Sequence, residues 1–451
     1  MINNKVVVPI VAVLAVGASV FFNNEESLSS QLHPTKLWNR LSSSSFSVAT
    51  ATALLSDLHF WKWTVLIGVA LYLFLQFYDT FFVIRYYFKS FAEGEASLIK
   101  TEKWQRRKVR GSMPPPYPNG WFFVCFSRDL KPGQVRDFEY LGQQLVVYRG
   151  KDGKAAVLDA FCPHLGANLG VNGVVRDNCL ECPFHGWSFN SEGKCVSIPY
   201  AEKVPESAKV KTWTTLEHNG VVMIWHHAEG VEPEWYPPEI EGITKGYYRF
   251  HGYSIHEVRA HIQEIPENGP DTAHLNVLHK PFIGEFLGLE ESVLNHGWEA
   301  DWSVGQGEEQ HIAFLNVKED LLVFGHKFPG LTLDVKIKQI GPGLVQLHFA
   351  TPVGTAVICQ SVTPLAPTLQ RVTHAIYASP NMPRFVAKFI LRGTVIQFER
   401  DVPIWNNKTF LKKPFLIKED GKIAQFRRWY AKFYSENSDK VGCASNNALD
   451  W

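Results

Sequence analysis

Four residues constrain this chain more than any other feature: Cys162 and His164, then, 17 residues later, Cys182 and His185. As spacing this reads C-x-H, 17 residues, C-x-x-H. Each half lies in a turn-rich run, Cys-Pro-His-Leu-Gly in one and Cys-Pro-Phe-His-Gly-Trp in the other. Two thiolates and two imidazoles can hold zinc or an iron–sulfur cluster. Zinc sites more often pair C-x-x-C with H-x₃₋₅-H. Here each loop supplies one Cys and one His, which suits two irons, the cysteines on one and the histidines on the other. Neutral imidazoles in place of two thiolates make such a cluster less anionic and raise its potential. Cys179-Leu-Glu-Cys182 is a rival C-x-x-C pair, but it leaves Cys162 without a role. Seven cysteines in 451 residues exclude a disulfide scaffold. Cys179 and Cys195 then read as free thiols, which fit a reducing cytosol alongside a metal cluster.

The surrounding sequence reads as a small all-β domain. Trp121–Phe126, Gln144–Tyr148, Ala155–Leu158 and Val221–Trp225 are β-rich runs. Turn signals at Lys131-Pro-Gly133, Lys151-Asp-Gly153, Ser191-Glu-Gly193 and His218-Asn-Gly220 separate them. Paired Cys/His loops on such a scaffold resemble a Rieske domain. Respiratory Rieske domains carry an extra cysteine in each loop. Ala167 and Phe184 stand at the matching places here, so the resemblance is to the oxygenase branch.

A second constellation is Glu267-Asn-Gly-Pro-Asp271-Thr-Ala-His274-Leu-Asn-Val-Leu-His279. Two histidines and a carboxylate form the ligand set of non-haem Fe(II) oxygenases, with positions left open for oxygen. Asp271 and His274 share a helix face. His279 is five residues on, about 140° away on an ideal helix. One metal can take both histidines only if the helix, predicted to run from Gly269-Pro270 to no further than Pro281, distorts or ends there. The bland alternative is a surface helix with two solvated histidines.

The run E-N-x-x-D-x-x-H-x₄-H resembles the mononuclear iron motif of Rieske-type oxygenases. The resemblance implies that His274 and His279 are iron ligands. Glu399-Arg-Asp401-Val-Pro-Ile-Trp405 resembles the family's D-x-x-I-W segment, making Asp401 the third ligand and Glu399 the runner-up. Asp271 matches the bridging aspartate, implied to bond both His274 and the cluster ligand His185 of the partner subunit. That bridge implies a ring of subunits, a homotrimer. His256-Glu-Val-Arg-Ala-His261 imitates the zinc-protease motif with one residue too many, and reads as strand residues; His226-His227 reads as a strand end.

The N-terminus is apolar. Segments 6–22 and 61–84 are candidate membrane helices. The second has Trp61 and Trp63 at one end and Tyr86 and Tyr87 at the other, as an interfacial belt would. The first reads either as a second span, making a hairpin, or as a signal peptide starting at Lys5 with Ala15 or Ala18 near the cleavage point. The cluster of Lys and Arg from Arg85 to Arg110 places the rest of the chain in the cytosol. A net charge of +1 argues against a nucleic-acid binder. No G-x-G-x-x-G occurs, so the chain shows no dinucleotide site by that test.

Together these features set the fold class as α+β. A membrane-anchor region covers 1–90 and a basic, Pro-rich linker 91–118. An all-β [2Fe-2S] domain follows over 119–227, an α+β mononuclear-iron domain with an antiparallel sheet over 228–435, and a tail over 436–451. From about residue 85 to 435 the chain resembles the animal cholesterol 7-desaturase (Neverland) family. The resemblance implies conversion of cholesterol to 7-dehydrocholesterol in steroid biosynthesis. It also implies one [2Fe-2S] cluster and one mononuclear Fe2+ per chain. The co-substrates are O2 and electrons from NAD(P)H, which a separate reductase delivers. A lipid-soluble sterol and the anchor agree with an endoplasmic-reticulum membrane protein facing the cytosol. Two alternatives stand beside it: a steroid or lipid hydroxylase of the same family, and a membrane-tethered electron carrier without catalysis.

Overall fold

The computed structural model describes residues 65–74, 86–90, 109–110, 113–281, 294–323 and 326–438. The chain separates into two compact units, Met1–Tyr78 and Asp79–Trp451. In the first, residues 65–74 form a helix whose Val65, Leu66, Ile67, Leu71 and Phe74 are exposed. Segment 6–22 lies outside the described residues, and 61–84 is described only over that helix. Among the described residues no helix is long and apolar enough to cross a membrane.

The second unit begins, among described residues, with the strand Tyr86–Ser90. It pairs parallel with Arg249–Val258, placing Tyr86 opposite Tyr253. Tyr86 and Tyr87 are therefore strand residues of a sheet edge, where the sequence suggested the aromatic end of an apolar helix. The Pro-rich stretch differs from expectation too. Tyr117 is buried, and the Pro115 carbonyl accepts a hydrogen bond from His261 Nε2 at 3.1 Å. A segment read as a spacer is thus packed against the body, because its carbonyls find donors there.

Residues 120–226 build three small antiparallel sheets. Gly120–Phe126 pairs with Val221–His226, whose other neighbour is Thr215–His218. Val135–Tyr140, Gln143–Arg149, Ala155–Asp159 and Thr212–Trp213 form a second sheet. Val174–Arg176, Cys179–Glu181, Ser188–Phe189 and Cys195–Ser197 form the third. Val146, Tyr148, Leu158, Leu180 and Phe189 bury their side chains in one core with the two loop cysteines, Cys162 and Cys182.

The rest of the chain is α+β. An eight-stranded sheet runs in the order Tyr86–Ser90, Arg249–Val258, Leu369–Ala378, Gly354–Ala366, Leu344–Thr351, His326–Ile340, Ile312–Val323, Leu294–Val304. Every pairing after the first is antiparallel. The long helix Arg384–Asn407 packs on Arg249–Val258 and Leu369–Ala378. Along Arg249–Val258 burial alternates, so Ser254, His256 and Val258 face inward with the two-residue period of a half-buried strand. The inward polar groups are paired: Ser254 Oγ lies 3.4 Å from His374 Nδ1, and His374 Nε2 lies 3.1 Å from Gln360 Oε1.

His261 is not a strand residue. It caps the 3₁₀ turn Ile262–Glu264, its Nδ1 accepting from the backbone N–H of Gln263 at 3.2 Å. With Nε2 donating to Pro115, the cap needs a neutral ring. Burial lowers its pKa from 6.5 to about 4, and burial likewise takes His226 to about 4. The folded state then stays neutral while the unfolded chain takes up protons below pH 6.5. Stability is complete above pH 6.5 and falls as the pH drops toward 4. For His261 the loss is about 2 kcal/mol at pH 5. His261→Gln keeps an acceptor and a donor without titrating. Denaturation midpoints at pH 7 and pH 5 should therefore differ less in this variant than in the parent. An equal drop in both would remove His261 as the cause.

Candidate functional site

The two Cys/His loops are the same backbone turn made twice. Gly166 N–H donates to the Cys162 carbonyl at 2.9 Å, and Gly186 N–H to the Cys182 carbonyl at 3.1 Å. One residue further, the Ala167 and Trp187 carbonyls accept from the Cys162 and Cys182 N–H groups at 2.9 and 2.8 Å. Gly166 and Gly186 have φ of +70° and +73°, a left-handed region that favours glycine. Cys162 and Cys182 are each 3% exposed. The His164 and His185 rings have centroids 4.6 Å apart, and the Trp187 indole stacks on His164 at 4.8 Å and 4°.

These donors fit a two-iron cluster. His164 Nδ1 is buried with no hydrogen-bond partner, a costly state for a polar atom unless a ligand takes it. Burial pushes the Cys162 thiol up to about 11, opposed by the backbone N–H groups of His164 and Leu165, with neighbouring Cys182 adding to the rise. A metal cation reverses that balance, since a coordinating thiol is deprotonated outright. Cys179 is half-buried and Cys195 buried, both as free thiols.

The second site gathers residues distant in sequence. The expected helix over 269–281 is instead a series of short turns: 3₁₀ at Pro266–Asn268 and Thr272–His274, then one α turn at Leu275–Leu278. His279 ends it, with φ −100° and ψ 10°. Breaking the helix there removes the 140° separation and brings the two rings within 5.0 Å. Asn276 fastens this turn to the strand Leu294–Val304: its Nδ2 donates to the Trp298 carbonyl and its Oδ1 accepts from Trp298 N–H. Trp298 Nε1 donates to the His279 carbonyl at 3.2 Å.

Asp401 reaches the same point from the long helix. Its Oδ1 lies 3.2 Å from His279 Nε2. Ligand atoms of His274, His279 and Asp401 all lie within 4.8 Å of one another. Among the described residues no other group of His, Cys, Asp or Glu donors converges this way. Glu399 points elsewhere, its Oε1 at 3.2 Å from His256 Nε2. Two residues apart on a helix means about 200° of rotation, so Glu399 and Asp401 face opposite ways.

The backbone carbonyl of Asp271 bonds His274 Nδ1, which leaves Nε2 for a metal. The Asp271 carboxylate stands 3.9 Å from that ring, with its side chain 38% exposed. The carboxylate bond to His274 implied by resemblance is thus made by the main chain instead. Glu267 of the same motif has a supporting part: Arg427 grips it in a bidentate pair at 2.7 and 2.9 Å. Sequence reading missed Gln397, whose Oε1 lies 2.9 Å from His279 Nδ1. The one available signal was its position four residues before Asp401, on the same helix face.

Comparison with known proteins agrees with this geometry. Residues 120–213 match the family model of the Rieske [2Fe-2S] domain, and residues 224–434 that of the 3-ketosteroid 9alpha-hydroxylase C-terminal domain. A cholesterol 7-desaturase of Xenopus laevis is 48% identical over 355 residues, 77% of this chain and 78% of its own. One from Ciona intestinalis is 44% identical over 362 residues, 79% of this chain and 76% of its own. The crystal structure of apo dicamba monooxygenase shares the fold at a TM-score of 0.52 and 18% identity, covering 70% of this chain and 96% of that one. With two Cys/His loops, a converging two-histidine, one-carboxylate triad and relatives this similar over most of its length, the chain belongs to the cholesterol 7-desaturase family of Rieske-type oxygenases.

Proposed function

We propose that this protein removes the hydrogens at C7 and C8 of cholesterol to give 7-dehydrocholesterol. The observation that carries the reading is the convergence of His274, His279 and Asp401 in a chain that also holds the cluster loops. A bare electron carrier would need no second metal site. In this reading His274, His279 and Asp401 hold one Fe2+, and Cys162, His164, Cys182 and His185 hold one [2Fe-2S] cluster. When bound, the iron supplies oxygen activation and the cluster supplies electrons one at a time.

The balance is complete with O2 and NAD(P)H. Two substrate hydrogens, two electrons and two protons reduce O2 to two waters, leaving the C7–C8 double bond. The electrons come from NAD(P)H through a separate reductase, in line with the missing dinucleotide fingerprint. The chain's own residues fix geometry. The Asp271 carbonyl holds one imidazole, Asn276 and Trp298 hold the turn that carries both, and the long helix sets the carboxylate.

The reading extends to assembly and location. The half-exposed Asp271 carboxylate bridges to His185 of the partner subunit, in a homotrimer. Exposed Leu165, Phe184 and Tyr200 beside the cluster loops support an apolar docking face there. Segment 61–84 anchors the chain at the endoplasmic reticulum membrane facing the cytosol, with 6–22 as a second span or a signal. The Lys and Arg excess after residue 85 supports this orientation.

Purified protein with both metals, a surrogate reductase, NADPH, O2 and cholesterol gives the test, read by mass spectrometry. The expected product is two mass units lighter and carries a 5,7-diene absorbance. A gain of sixteen would instead establish a hydroxylase.

A further inference from the structure

Behind His279 a line of side chains leads away from the triad, and none of them is a metal ligand in the reading above. His279 Nδ1 meets Gln397 Oε1 at 2.9 Å. Gln397 Nε2 meets His296 Nε2 at 3.3 Å. His296 Nδ1 lies 2.5 Å from Glu319 Oε1. Arg400 Nη1 also donates to Gln397 Oε1, at 3.0 Å, and to the Pro281 carbonyl at 2.6 Å. His296 is 6% exposed, and the Glu319 side chain is 22% exposed.

Arg400 can only donate, so the Gln397 amide turns its oxygen toward Arg400 and its nitrogen toward His296. Gln397 turns its nitrogen to His296, so His296 presents a lone pair at Nε2 and carries its proton on Nδ1, on the side where Glu319 lies. That lone pair takes a hydrogen from the Gln397 amide nitrogen, which orients the amide. Its oxygen, already facing Arg400, therefore faces His279 and accepts from Nδ1–H. His279 is left with a bare Nε2, the atom 3.2 Å from Asp401. The tautomer of His279 follows from Arg400 and the Gln397 amide, with Glu319 beside the far end of the line.

Secondary structure makes the line rigid. Gln397 and Asp401 are one turn apart on the same helix, so one element carries both a ligand of the triad and the group that orients another. His296 and Glu319 sit on adjacent antiparallel strands, where Trp298 is paired with Glu319. His296 is thus diagonal to Glu319, within reach for long side chains.

We propose that Gln397 is a positioning residue for the iron site, holding His279 in the Nδ1–H tautomer, and that His296 and Glu319 hold the Gln397 amide in the orientation this requires. The proposal rests on His279 being an iron ligand. Metal-ligating histidines gain affinity from such a partner on the far nitrogen, and losing it typically costs about 10–100-fold in metal affinity.

The test uses full-length protein carrying both metals and a ferrous chelator. It reads mononuclear iron retention, cluster absorbance, and the electron paramagnetic resonance signal of the nitric oxide adduct of the mononuclear iron. Gln397→Leu keeps nearly the volume and removes all three side-chain hydrogen bonds. It should lose iron about 10–100-fold more readily, with cluster absorbance unchanged and an altered nitrosyl signal. Gln397→Glu keeps the acceptor and should hold iron nearly as the parent does. Should Gln397→Leu fail to fold, Glu319→Leu decides, since it alters only the far end and should weaken iron in the same direction. Parent-like retention in Gln397→Leu or Glu319→Leu overturns the proposal. So does a Gln397→Glu variant as leaky as Gln397→Leu. His279→Ala separates the two layers. If it keeps mononuclear iron, the ligand reading itself fails; if it loses iron while Gln397→Leu does not, only the positioning role fails.

Discussion

Replacing His279 or Asp401 with alanine should abolish sterol turnover and strip the mononuclear iron, while the visible absorption of the cluster stays at its parent level. The effect should be large because each residue supplies one of the three donors that converge among the described residues. Loss of an outer partner alone costs about 10–100-fold, so loss of a ligand should cost more. The cluster should survive because its four donors lie in loops between small sheets that neither substitution touches. His279 and Asp401 are buried at 3% and 8% exposure, so a small cavity is left. A modest drop in melting temperature is expected alongside the chemistry. Iron analysis and absorbance on the same sample check it. Loss of the cluster signal together with the iron would show that the two centres had been assigned to the wrong residues.

Asp271→Asn should behave differently. Both metals should remain and turnover should fall at least about 10–100-fold, the range for a removed partner beside a metal site. The structure gives the reason for metal retention. His274 is held by the backbone carbonyl of Asp271, which asparagine also has, rather than by its carboxylate. The side chain is 38% exposed and isosteric with asparagine, so folding should be unaffected. What disappears is a negative charge able to accept from an imidazole of the partner subunit. Rapid-mixing spectroscopy should then show a reducible cluster that no longer reoxidises with substrate and O2. Normal turnover would rule out the bridge.

The parts of this protein legible in its sequence are those set by short-range geometry. A cysteine, a histidine and a glycine within one turn announce the cluster loops, because the turn needs its glycine at one place. Alternating strands such as Gln143–Arg149 and Ala155–Asp159 are legible for the same local reason. His274 and His279 were visible as a pair, and their awkward spacing meant that one metal could take both only if the helix distorted or ended there. Asp401 was reached only through resemblance, because a ligand supplied by a distant helix leaves no spacing to read. Gln397 left only its spacing of four from Asp401, and His296 and Glu319 left no pattern. An amide, an imidazole and a carboxylate on three separate elements become a line only through packing. Tyr86 and Tyr87 stand on a strand at a sheet edge, just beyond the apolar segment 61–84.

The matched turns around Cys162 and Cys182 have one further consequence. Their backbones repeat each other bond for bond, yet histidine falls two residues after the first cysteine and three after the second. Equal backbones with unequal offsets break what would otherwise be a local twofold symmetry. His164 lies flat against an indole, whereas His185 is tilted 40° against Phe184, with centroids 3.9 Å apart. Two ligands of identical formula are thereby made distinguishable. The two loops match in backbone and differ in the surroundings of their histidines, and exchanging one loop for a copy of the other would erase that difference.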